Sequence, residues 1–175
     1  MRPHNTERAE VLRVLLSILG ISVILAAAVT VCAKYSAYER KRLSECEGFL
    51  LLLRHIRAGI SCFCMPIPEC VRGFENRALS DAGFIDALLE SESFSEAVEK
   101  CEGRLSLGEG ELHLLRSLGD SLGKNFKEEE LRLLDYYEEE LTDHINEEEG
   151  KMPGREKLCR TLVITGAFAA VILFI

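Results

Sequence analysis

The chain has 175 residues, of which 47% are hydrophobic and 29% charged, with 13 Gly and 4 Pro. That length suits one compact domain with appendages, and the composition excludes a disordered or collagen-like chain. A formal net charge of -8 repels phosphates, which disfavours nucleic acid as a partner.

The apolar residues gather at the two ends. Residues 1–13 form a short N-terminal tail, and residues 14–33 (VLLSILGISVILAAAVTVCA) follow as 20 positions without a charge. At about 1.5 Å per residue this run matches a hydrocarbon core about 30 Å thick, so it predicts a transmembrane helix. The rival is a cleaved signal peptide ending near Val31-Cys32-Ala33, whose apolar core would be only about 7 to 15 residues long. At the other end, residues 161–175 (TLVITGAFAAVILFI) give 15 uncharged positions, somewhat short of a usual span. Their apolar surface on every side still predicts a second transmembrane helix, with Arg160 snorkelling. Eight basic residues flank the segment between the spans: Lys34, Arg40, Lys41, Arg42, Lys151, Arg155, Lys157 and Arg160. The tail has three, Arg2, Arg8 and Arg13, so residues 34–160 are expected in the cytoplasm.

No run in 34–160 alternates as a strand would, whereas helical periods recur. Cys46, Leu50, Leu53, Ile56 and Ile60 mark one face of a long helix that stops before Pro66. Pro66 and Pro68 restart the chain into a second helix through about Arg77. Two short helices follow, one after a Ser80-Asp81 cap and one after Ser93, with Glu96 at capping-box spacing. Leu112, Leu115, Leu118 and Leu122 give a stripe stopped by Gly123. The last helix is capped by Asn125 with Glu128, buries Leu131, Leu134, Tyr137, Leu141 and Ile145, and ends at Gly150, Pro153 and Gly154. The expected fold is all-α: roughly six helices in an antiparallel bundle, flanked by an N-terminal and a C-terminal transmembrane helix.

Catalytic signals are sparse. Cys62, Cys64 and Cys70 lie close together downstream of His55, but lack the paired knuckles of a structural zinc site, so packed reduced thiols are expected. The alternative is a membrane-tethered redox or metal-binding protein using those three cysteines. His4, His55, His113 and His144 each stand alone, and the glycines at 108, 110, 119 and 123 read as turn and cap residues with no phosphate loop. No catalytic residue, metal or cofactor is assigned. Residues 126–150 carry 11 carboxylates against Lys127 and Arg132. This run is either a solvated face or a docking surface for a basic partner, with Glu138, Glu139, Asp143 and Glu147 as the candidate contacts.

The order of these features between two spans resembles the stage III sporulation protein AB family of endospore-forming bacteria. The resemblance is carried by Arg57-Ala58-Gly59-Ile60, by Met65-Pro66-Ile67-Pro68-Glu69, by the segment from Leu115 to Gly123, and by Glu156 to Leu162. That family's bundle is similar to the cytoplasmic domain of type II secretion F proteins. The resemblance implies a non-enzymatic part of a channel between mother cell and forespore, in the mother-cell membrane around the forespore. Its implied partners are a cytoplasmic secretion-type ATPase, the complex's other membrane subunits and the lipid bilayer. Pro153-Gly154 departs from the pattern, interrupting an otherwise continuous entry into the last span.

Overall fold

The structure is a computed structural model that describes residues 4–174, with the side chains of most of them. It is all-helical, as expected, with seven helices among the described residues: α1 (His4–Phe63), α2 (Ile67–Arg72), α3 (Arg77–Asp81), α4 (Phe84–Glu90), α5 (Phe94–Cys101), α6 (Glu109–Ser121) and α7 (Lys127–Phe174). The chain divides into two compact units. One comprises Met1–Ala37 with Lys151–Ile175, the other Tyr38–Gly150.

In the first unit the described side chains of α1 between residues 16 and 37 are exposed or only partly covered. Leu16, Leu19, Val23 and Val31 are all exposed. Among the described residues α1 is the one helix long and apolar enough to cross a membrane, with a mean hydropathy of 2.0 in its most apolar stretch. Here the two segments expected as separate terminal helices are the ends of α1 and α7. They touch where the Cys32 thiol donates to the Cys159 carbonyl at 3.6 Å.

In the second unit the expected stripe of α1 is buried throughout, and Phe49 and Leu52 join it. Phe49 packs edge-to-face on Phe84 of α4, with ring centres 4.7 Å apart, and Phe84 on Phe94 of α5 at 5.4 Å. This aromatic triad lies inside a contiguous core of buried side chains, and such edge-to-face pairs add about 0.5–1.5 kcal/mol each beyond their buried area. Around it, α5 packs on both α4 and α6, while α2 and α3 pack on α4. The stripe of α7 from Leu134 to Ile145 closes the core.

Two glycines of the resemblance motifs permit the closest approaches. A Cβ on Gly59 would collide with the Cys70 sulfur where α1 meets α2. One on Gly119 would collide with the Ser95 backbone where α6 crosses the start of α5, so Gly119 sits inside a helix and serves no turn. Gly123 has φ +81° and stops α6 as expected.

The boundaries differ from expectation in four places. The second helix ends at Arg72, and Arg77 opens the separate α3, because Asn76 caps it by accepting the Leu79 amide at 3.1 Å. Ser80-Asp81 therefore closes a helix, and α4 starts after Gly83 at φ +72°. Asn125 does not cap α7: its side-chain amide donates to the Ser121 carbonyl at the end of α6. Finally, α7 runs through Gly150, Pro153 and Gly154 to Phe174. Proline keeps a helical φ and removes one N–H donor, costing about 3 kcal/mol over a single turn. The uncharged run beyond it offers its backbone few partners besides the helix's own hydrogen bonds.

Candidate functional site

The buried stripe of α7 fixes how its acidic residues point. Glu138 falls in step with Leu134, Leu141 and Ile145, so it turns inward against α1 and is half-buried. It lies 3.6 Å from Arg54 and 3.9 Å from Arg57, and Asp135 meets Arg57 at 2.5 Å. Burial pushes the Glu138 carboxyl above its usual value, with Arg57 and Arg54 pulling the other way. Glu139 and Asp143 are exposed, as is Glu147, which also has a polar or electrostatic partner. The four candidate contacts therefore divide. Glu138 belongs to a row that pairs with the arginines of α1, and the other three lie on the side of the helix open to solvent.

The ion pairs run in opposite order along α1 and α7, from Arg57 with Asp135 to Arg42 with Glu148 at 3.6 Å, so the two helices are antiparallel within this unit. At the Arg42 end sits a polar node that periodicity does not reveal. Glu111 of α6 is buried and accepts hydrogen bonds from Arg42 Nε at 2.7 Å and the Gly108 amide at 2.5 Å. His144 Nε2 lies 2.7 Å from the same carboxylate. Burial would raise the Glu111 carboxyl, but the bonds from Arg42 and His144 outweigh it and hold the group below its usual value. The neighbouring Cys46 thiol is pushed up to about 12, by burial first and by the Glu111 charge second.

Two more buried glutamates follow the same plan. Glu45 accepts the Ser106 amide at 2.6 Å, and Glu130 accepts the Gly123 amide at 2.7 Å. Each of the three carboxylates satisfies a loop N–H that burial would otherwise leave costly. Burial raises Glu45, with Ser106 and Lys41 opposing it.

The three cysteines of the alternative reading have separate surroundings. Cys70 is buried, and its thiol faces the Met65 carbonyl at 3.9 Å. Cys62 is exposed beside Ser61 at 3.6 Å, and Cys64 is exposed with Lys127 Nζ 3.2 Å from its sulfur. Among the described residues no group of three or more metal-ligating side chains converges. What α7 presents is negative charge in two rows. Its inner row pairs with the arginines of α1, although one Glu138 oxygen is buried without a hydrogen bond, and its outer row meets solvent.

No curated protein and no solved structure matches the chain. The model of the stage III sporulation protein AB family does match, over residues 17–175. That range takes in the apolar stretch of α1, the whole of the Tyr38–Gly150 unit and the end of α7. On that match the chain, a sporulation-related protein, belongs to the stage III sporulation protein AB family.

Proposed function

We propose that the chain is a non-enzymatic, membrane-anchored assembly component of a secretion-like sporulation channel between mother cell and forespore. The observation that carries this reading is the outer acidic row of α7, presented by a helix whose opposite face is locked into the core. The anchor is the apolar surface of α1 between Leu16 and Val31, which in water would be an exposed patch and in hydrocarbon is at rest. Leu162, Ile164, Phe168 and Ile172 near the end of α7 are exposed too, and the contact of Cys32 with Cys159 supports a second span beside the first. The basic flanks of both apolar segments favour a cytoplasmic Tyr38–Gly150 unit.

In this setting Glu139, Asp143 and Glu147 dock a basic surface of the secretion-type ATPase or of a neighbouring membrane subunit, while Glu138 holds the helix in place. The test uses the full chain with Glu139→Lys, Asp143→Lys and Glu147→Lys together. Capture of the ATPase should fall while the helical content is unchanged, and in the unaltered chain capture should weaken with added salt. Unchanged capture by the folded variant would return the acidic row to a solvated face. A protease site inserted after Gly123 checks the topology, because cleavage from outside intact cells would reverse it.

A further inference from the structure

The Tyr38–Gly150 unit carries a second surface, opposite in character to the acidic row. A groove of about 400 Å³ opens between α2, α4 and the end of α6, next to the Pro66–Pro68 restart. Its apolar lining comes from Ile67 and Val71 of α2, Leu88 and Leu89 of α4, and Leu122. Leu89 is 48% exposed although it lies on a wall whose other members are largely covered. The charged residues of the lining are Arg72 and Lys124 against one carboxylate, Glu92. In a chain of net charge -8 this is a local reversal of sign. Lys124 donates to the Asp120 carbonyl, an uncharged acceptor, so that contact leaves its charge uncompensated.

We propose that this groove docks an amphipathic helix of a partner protein, one whose apolar stripe is flanked by carboxylates. The walls are helices and, among the described residues, there is no strand edge to extend, so a helix lying in a helical groove is the mode that fits. Its apolar residues enter between Leu88, Leu89 and Leu122, and its carboxylates lie on the Arg72 and Lys124 side, away from Glu92. The outer face of α7 between residues 127 and 150 is a poor occupant from a second copy, because among the exposed positions of that stretch Tyr136 is the large apolar residue and acidic side chains dominate the rest. This surface stands apart from the acidic row, so either docking reading can fail without the other.

The experiment uses the full chain in detergent and two fluorescein-labelled 16-residue helical peptides. Both have Leu at i, i+3, i+4 and i+7. One carries flanking Glu, the other flanking Lys. Fluorescence anisotropy should show the Glu peptide binding about tenfold more tightly than the Lys peptide at low salt, with the preference shrinking as salt rises. Leu89→Arg should reduce Glu-peptide binding by about tenfold or more while thermal unfolding is unchanged. Arg72→Glu with Lys124→Glu should reverse the preference between the peptides. Equal binding of the two peptides, binding of neither, or binding insensitive to Leu89→Arg would overturn the proposal. So would concentration-dependent self-association of the chain abolished by Leu89→Arg, which would assign the groove to a second copy.

Discussion

Two stretches of α1 both present large apolar side chains, residues 16–33 and residues 46–60, and they have opposite surroundings. In the first, Leu19 is 64% and Val31 66% exposed; in the second, Leu53 and Ile56 are fully covered. Single residue types do not separate them, since Leu and Ile serve in both, but the pattern around those residues does. The first half is apolar on every side, while the second interleaves its buried stripe with Arg54, Arg57 and other charged positions. A helix apolar all round calls for an apolar solvent, and a striped one calls for neighbouring helices. One continuous helix therefore carries two kinds of surface, and a substitution should have different consequences in each.

The largest expected contrast comes from placing a charge in each half. Leu53→Asp buries an unpaired carboxylate in the core and should cost more than about 4 kcal/mol, read as loss of cooperative thermal unfolding in detergent. Leu19→Asp should leave that transition in place and shift the chain out of the membrane fraction. Equal unfolding by the two would erase the distinction between the halves.

Next comes the node that ties the second half of α1 to α6 and α7. Glu111→Ala removes the nearest partner of Arg42 and leaves the Gly108 amide without its acceptor, and should cost about 1–3 kcal/mol by chemical denaturation, because Arg42 keeps Glu148 at 3.6 Å. The Glu111 carboxyl lies below its ordinary value when folded, so its contribution is fully present above the unfolded value of about 4.3 and is lost as pH falls through the folded value. The stability gap between the native chain and the variant should therefore be constant near neutral pH and close on acidification below about pH 4. A gap that widens in acid would contradict the assignment.

Smaller effects should separate the two acidic rows of α7. Glu138→Ala loses contacts with two arginines that are about half exposed, so it should cost at most about 1 kcal/mol after solvent screening. Glu139→Ala with Asp143→Ala should stay within about 0.5 kcal/mol. Smallest of all, Cys62→Ser with Cys64→Ser should leave unfolding unchanged within about 0.5 kcal/mol, while Cys70→Ala costs about 1–3 kcal/mol. Labelling of the folded chain with a maleimide should reach Cys62 and Cys64 and spare Cys46, Cys70 and Cys101.

Features written into one stretch of chain were legible in the sequence. The stripes from Cys46 to Ile60 and from Leu131 to Ile145 follow helical periods, and both lie against the core. Ser93 accepts the Glu96 amide at 3.2 Å as expected, although the Glu96 carboxylate reaches back to the Glu92 amide and completes the box one residue early. Features that need a distant partner were not legible. Arg42 and Glu111 are 69 positions apart, and nothing local to either marks the pair. Asn125 looked like a helix start because its neighbours allow one, yet the Ser121 carbonyl at the end of α6, which also accepts the Lys124 amide, claims its side-chain amide. Pro153 looked like an end because local cost was weighed without the long apolar run beyond it. The inward turn of Glu138 was readable in principle, since it shares the register of Leu134, Leu141 and Ile145, but its charge masked that position.

The aromatic triad has a consequence in time. Phe49 is synthesised early, whereas Phe84 and Phe94 follow some 35 to 45 residues later, and Leu141 of the closing stripe about ninety residues later. At about 5–20 residues per second, the sticky face of α1 waits roughly 5–20 s on the ribosome before the last wall of its core exists. A bundle closed by its first and last helices is thus exposed to premature association for most of its own synthesis. Phe84 and Phe94 are the nearer partners in synthesis, 35 and 45 residues after Phe49, so their contacts become available in about half the time the closing stripe of α7 needs.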